Sequence, residues 1–158
     1  MYQRILAAVD GSDTSDLAVD HAVQLAKDQR ARLRIVHVVE SLRYTASMAG
    51  GYPFDPTPMW EALRESGHQA LMKAQATARQ AGVETETMLL EDQGLSERVA
   101  TILLKEAQRW DADLVVLGTH GRRGFDRIFL GSVAETLVRM APMPVLLVRA
   151  KPKSMTAQ

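Results

Sequence analysis

The sequence predicts an α/β fold: an open, mostly parallel five-stranded sheet of order 3-2-1-4-5 with helices on both faces. Two observations carry this. Short apolar runs alternate with segments of helical period in the order β-α-β-α-β-α-β-α-β. The runs at residues 5–9 and 114–117 are the most uniformly apolar, as expected of strands covered on both faces, so they belong side by side in the centre.

Each element follows from its own chemistry. The first strand, residues 5–9, gives way to Ser12, Asp13 and Thr14, which supply a helix start, with Asp16 suiting the positive end of the helix dipole. Ala18, Ala22, Leu25 and Ala26 then recur at helical spacing, and residues 33–39 form a second strand rich in β-branched side chains. Residues 40–58 hold Gly50, Gly51, Pro53, Pro56 and Pro58 and read as a long surface loop. A long helix follows on a stripe of Trp60, Leu63, Leu71, Ala74 and Ala78, and Gly82 ends it. Residues 84–90 alternate charged and Thr residues, which suits an edge strand with one wetter face. The third helix carries Val99, Ile102, Leu103, Glu106 and Trp110 and stops near Asp111. After the strand at 114–117 comes a glycine-rich loop through Gly131. Ser132 and Glu135 have capping-box spacing and start the fourth helix, which the run 141–144 stops before the last strand, Val145–Val148. Met72, Trp60, Trp110, Met140 and Met143 read as core. The expected organisation is a single domain over residues 1–150 and a flexible tail over 151–158.

Composition narrows the function. Lys plus Arg and Asp plus Glu number 19 each in 158 residues, so the clustered basic excess of a nucleic-acid binder is missing. The absence of cysteine excludes a disulfide scaffold, a thiolate metal site and a Cys nucleophile. No apolar run approaches the ~20 residues that span a bilayer, and the start passes straight into a strand rather than a signal peptide. The expectation is a cytoplasmic protein with neither nucleic acid nor membrane as partner.

The strand order reverses between strands 1 and 4, and ligands of such sheets bind at the carboxyl ends there. Two segments converge at that point: Val9-Asp10-Gly11-Ser12, and Gly118-Thr119-His120-Gly121-Arg122-Arg123-Gly124 continuing to Gly131-Ser132. Glycines let backbone N–H groups approach an anion closely, and a helix start at Ser132 adds free donors and a positive dipole end. Together with a hydroxyl and arginines they make a phosphate cradle. It is neither a Walker loop, lacking Gly-Lys-Ser/Thr, nor the dinucleotide Gly-x-Gly-x-x-Gly turn.

These residues resemble the universal stress protein family over nearly the whole chain, residues 5–148. The family's ATP-binding pattern, Gly-x2-Gly-x9-Gly-Ser/Thr, is met by Gly118, Gly121, Gly131 and Ser132; the opening 5–12, His37-Val38-Val39 and the finish 144–148 are similar too. The resemblance implies a Rossmann-like fold of the adenine nucleotide alpha hydrolase type, and a site for ATP, or for ADP or AMP. Ala8, Val9 and Asp10 would line the nucleoside pocket, with Asp10 near the ribose or a phosphate-bound Mg or Mn ion. Val38 would meet the adenine through its backbone, and Leu117, Gly118, Thr119 and His120 would wrap the ribose. Gly121, Arg122, Gly131, Ser132 and Val133 would hold the phosphates. Ala8 stands where some nucleotide-binding members have Pro, a mild departure.

Plainer roles compete with these. Asp10 reads equally as a cap of the first helix, His37 as a core-edge histidine rather than a metal ligand, and His120 as a turn residue. Arg122 and Arg123 also suit a solvated pair. The implied function is nucleotide binding in the stress response, as an ATP-dependent switch or partner-binding module whose protein partner the sequence leaves open. The alternatives are an interaction protein of the same fold that binds no nucleotide, and a slow ATPase or adenylate-transfer enzyme. The short apolar edge strand Val145–Val148 invites pairing with its symmetry mate, and the resemblance implies the same homodimer.

Overall fold

The structure, a computed structural model, describes residues 1–40, 55, 57–91, 98–120 and 130–150. Its elements are β1 (Arg4–Ala8), α1 (Asp13–Gln29), β2 (Arg32–Val39), α2 (Thr57–Gln80), β3 (Thr85–Glu91), α3 (Val99–Arg109), β4 (Leu114–Gly118), α4 (Ser132–Met140) and β5 (Val145–Val148). The strands form one sheet of order β3-β2-β1-β4-β5, and every neighbouring pair is parallel. This is the expected topology.

Alternation of side chains along the strands builds two cores. Ile5, Ala7, Val9, Leu33, Ile35, Leu114 and Val116 pack against Ala18, Val19, Ala22, Val23 and Ala26 of α1 and against Leu71, Ala74 and Ala78 of α2. Leu6, Val36, Val115 and Leu117 face α3 and α4 through Leu103, Leu104, Ala107, Ala134 and Leu137. The central strands are therefore buried on both sides, which is why they read as unbroken apolar runs. β3, at one edge, has every residue only half-buried.

The pairing that creates the crevice is pinned at its far end. The Asp113 carboxylate accepts from the Gln3 and Arg4 backbone N–H groups at 2.7 and 3.0 Å, tying the entry of β4 to the entry of β1. Nearby, Glu106 of α3 is buried and paired with Arg34 of β2 (2.6 Å) and Arg109 (2.7 Å). Arg34 also bonds Glu86 of β3, and its guanidinium stacks 4.5 Å from the centre of the Trp110 ring. Here the sheet's lower end holds an ion-pair network where the sequence pattern suggested only a hydrophobic stripe.

Several expectations shift. The loop at 40–58 falls largely outside the described residues, and its last two residues, Thr57 and Pro58, are already helical; proline is tolerated in a first turn because its missing N–H has no partner there. Asp55 accepts from the Thr57 N–H at 3.0 Å, a bond that holds its carboxyl below the usual value. Ser132 is not a cap: Gly131 is the N-cap, no side chain caps the helix, and the Ser132–Glu135 capping box does not form. Met72 and Met140 are 70% and 64% exposed, outside the core, because the inner faces of their helices run through Leu71–Ala74 and Ala134–Leu137. Trp110 is buried as expected, and Met143 packs against the α3–α4 core. The tail, 151–158, lies outside the described residues.

Candidate functional site

At the carboxyl end of β1 the chain turns into α1 through a closed set of bonds. The Val9 N–H still donates to the Val36 carbonyl (2.9 Å), one residue past the strand's end. Asp10 Oδ1 then accepts from the Ser12 N–H at 2.9 Å, a tight Asx-type turn. Gly11, at the bend, has φ +81°, the left-handed region that a Cβ makes costly. Ser12 caps α1, its Oγ accepting from the Ser15 N–H (3.2 Å), and the buried Ser15 hydroxyl donates back to the Ser12 carbonyl (2.9 Å). Asp10 is thus an organiser of the turn as well as a half-buried carboxylate at its mouth.

Beside it, β4 ends at Gly118. A Cβ there would lie 2.8 Å from Thr14 Cγ2 and 3.0 Å from the Thr14 carbonyl carbon, so this glycine lets the first turn of α1 press against the end of β4. The Thr119 N–H donates to the Val148 carbonyl (2.9 Å), and the Thr119 carbonyl accepts from the Gly131 N–H (2.8 Å). This last bond brings the start of α4 directly beside the end of β4, although eleven residues lie between Thr119 and Gly131 in sequence. Behind Gly131, the first N–H groups of α4 have no intrahelical acceptor, as in any helix, and among the described residues no side chain caps them. They give this end a positive potential suited to an anion.

Thr119 Oγ1 and His120 Nδ1 are hydrogen-bonded at 2.9 Å, while His120 Nε2 is buried and has no partner among the described residues. A buried polar atom without a partner is unusual. The apolar wall is on the α3–α4 side, where half-buried Ala8, Val38 and Val133 adjoin buried Leu117. Val9 faces the opposite core.

Of the residues expected at the site, the structure thus gathers Ala8, Asp10, Val38, Leu117, Gly118, Thr119, His120, Gly131, Ser132 and Val133 around the ends of β1, β2 and β4, with Val9 behind them. Gly121 and Arg122, and with them Arg123 and Gly124, lie outside the described residues. The sequence pattern missed Ser15, which shapes the turn, and the contact of Thr14, read only as part of the helix start, with Gly118; His37, read as a core-edge histidine, is buried, but the bond of its ring to the Val9 carbonyl was not foreseen. Serine three residues after a cap was the available signal for Ser15; for His37 it was the mid-helix glycine, Gly67, that packs on its ring. Among the described residues no cluster of His, Cys, Asp and Glu could hold a metal by itself.

Comparison with known proteins agrees with this architecture. The model of the Universal stress protein family matches residues 1–149. A universal stress protein of Methanocaldococcus jannaschii is 36% identical over 157 residues, 97% of this chain and 85% of its own length. The crystal structure of a universal stress protein family member from Burkholderia pseudomallei is 37% identical, covers 94% of this chain and 97% of its own, and superposes with a TM-score of 0.73. A universal stress protein crystallised in complex with cAMP is 25% identical, covers 95% of this chain and 99% of its own, and gives a TM-score of 0.69.

Proposed function

Because the chain belongs to the universal stress protein family, and its strand ends gather a polar, amide-rich crevice, we infer that it is a nucleotide-binding stress protein whose ligand is ATP, or ADP or AMP. The observation that carries this reading is the Gly131–Thr119 bond of 2.8 Å, which holds the uncapped start of α4 against the switch point between β1 and β4. The unpartnered His120 Nε2 supports it, as does the cAMP complex of a relative. In this reading Ala8 and Val38 face the base, with Val9 behind them. Asp10, Leu117, Gly118, Thr119 and His120 surround the ribose. Gly121, Arg122, Gly131, Ser132 and Val133 take the phosphates.

The chemistry is that of a binder. A phosphoryl-transfer site needs metal, an aligned nucleophile and charge stabilisation. The described crevice offers one carboxylate, Asp10, whose Oδ1 already accepts from Ser12. A Mg or Mn ion fits as a companion of the phosphates, with Asp10 contributing one carboxylate and neutralising charge there. Occupancy then acts as a switch on a partner surface in the cytoplasm, within a single domain of residues 1–150. That surface includes β5, an edge strand with exposed Val138 and Met140 on the neighbouring helix, through which two copies pair. Calorimetric titration with ATP and magnesium tests the reading: a saturable one-site heat is expected, lost in Gly121→Val. Absence of heat at micromolar concentrations would leave an interaction protein that takes no nucleotide.

A further inference from the structure

His37 is the one histidine of the described core, 5% exposed, and its ring lies on the α2 face of β2, opposite the face of Val38. Its Nδ1 is 2.9 Å from the Val9 carbonyl oxygen. A carbonyl only accepts, so the ring proton sits on Nδ1. That carbonyl and the Asp10 N–H belong to the same planar peptide. The plane is gripped at both edges: His37 holds its oxygen, and the Ser15 hydroxyl faces its N–H at 3.4 Å. Rotation of this one plane would swing Asp10, Gly11 and the Ser12 cap together.

The helix behind the ring is built to leave it room. Gly67 lies buried within α2, where glycine weakens a helix relative to alanine. A Cβ at Gly67 would stand 2.6 Å from His37 Cδ2 and 2.7 Å from Leu89 Cδ1, so no other residue fits without moving the ring. Gly67, His37 and the Val9–Asp10 peptide therefore form a chain of contacts from α2, through β2, to the turn that opens the site.

We propose that His37 is a positioning residue for the nucleotide site: its Nδ1–H fixes the Val9–Asp10 peptide plane, and Gly67 fixes the ring. The proposal rests on the nucleotide reading of the crevice for its effect on affinity, though not for its effect on the turn. His37→Leu keeps apolar bulk but removes the donor, leaving the Val9 carbonyl buried and unpaired. His37→Asn restores an N–H donor at the same distance from the backbone as Nδ1. Gly67→Ala keeps the donor and displaces it.

The test has two readouts on each variant: ATP–magnesium affinity by calorimetry, and the backbone amide spectrum of the ligand-free protein. His37→Leu and Gly67→Ala are expected to weaken binding about tenfold, and His37→Asn to stay within about twofold of the parent. The ligand-free amides of Asp10, Gly11 and Ser12 are expected to move in His37→Leu and Gly67→Ala and not in His37→Asn. Equal affinity and unmoved amides in His37→Leu would overturn the proposal, as would equal losses in Leu and Asn. If the parent binds no ATP, the nucleotide reading fails, and the amide pattern alone decides the positioning role. Should His37→Leu not fold, the ring nitrogen spectrum of the parent replaces it: a proton on Nδ1 supports the contact, and one on Nε2 overturns it.

Discussion

At the scale of single residues, the glycines do different jobs from those their spacing suggests. The pattern Gly118-x2-Gly121 reads as a place for phosphate to approach, yet a Cβ at Gly118 would meet Thr14, not only its Cγ2 at 2.8 Å but also its carbonyl carbon at 3.0 Å. Because that neighbour is backbone, relief requires the first turn of α1 to move. Gly118→Ala is expected to lower stability by about 1–3 kcal/mol in urea unfolding, the usual cost of overpacking; unchanged stability would mean the two segments do not touch. Gly11 is the residue held by its backbone, at φ +81°. Gly131 has an ordinary φ of −61° and serves as a cap whose N–H reaches Thr119. The location of these residues was legible in the sequence. The reasons at Gly118 and Gly131 were not, because each depends on a neighbour distant along the chain.

At the scale of elements, strand and helix types followed from hydrophobic period, since buried parallel strands and amphipathic helices leave distinct patterns. Where the pattern misled, polar side chains had found partners on other elements. Glu106 occupies an inward position of α3 and looks like an interruption of its apolar stripe until Arg34, 72 residues earlier in sequence, closes on it at 2.6 Å. The same network sets a pH dependence. The Arg34 hydrogen bond, with help from Arg32, holds the Glu86 carboxyl below its ordinary value. A carboxyl depressed in the folded state adds stability above its unfolded value of about 4.3 and loses it as pH falls through the lower folded value. Stability should therefore decline below about pH 4, and Glu86→Gln should flatten that acid limb in melts taken at stepped pH. Solvent reaches this carboxyl, with 43% of the side chain exposed, so the effect is modest. An acid limb identical in both proteins would show that the pair contributes nothing.

At the scale of the whole molecule, the order β3-β2-β1-β4-β5 was inferred from which runs were most apolar, and it fixes where a ligand can sit. Assembly through the edge strand Val145–Val148 is an expectation of the sequence and remains a proposal. A short edge strand says only that pairing is open, whereas α4 adds exposed Val138 and Met140 beside it. Leu146→Lys places a charge on β5 and should shift sedimentation towards the monomer while circular dichroism stays native; an unchanged dimer mass would put the interface elsewhere. The central claim is that the ends of β1 and β4, with the start of α4, form one nucleotide site. Mapping backbone amide shifts during titration with ATP and magnesium tests it most directly. Shifts concentrated at Asp10–Ser12, Gly118–His120 and Gly131–Val133 are expected. Saturable shifts confined to the groove between α1 and α2, around Asp16, Lys73 and Thr77, would contradict it.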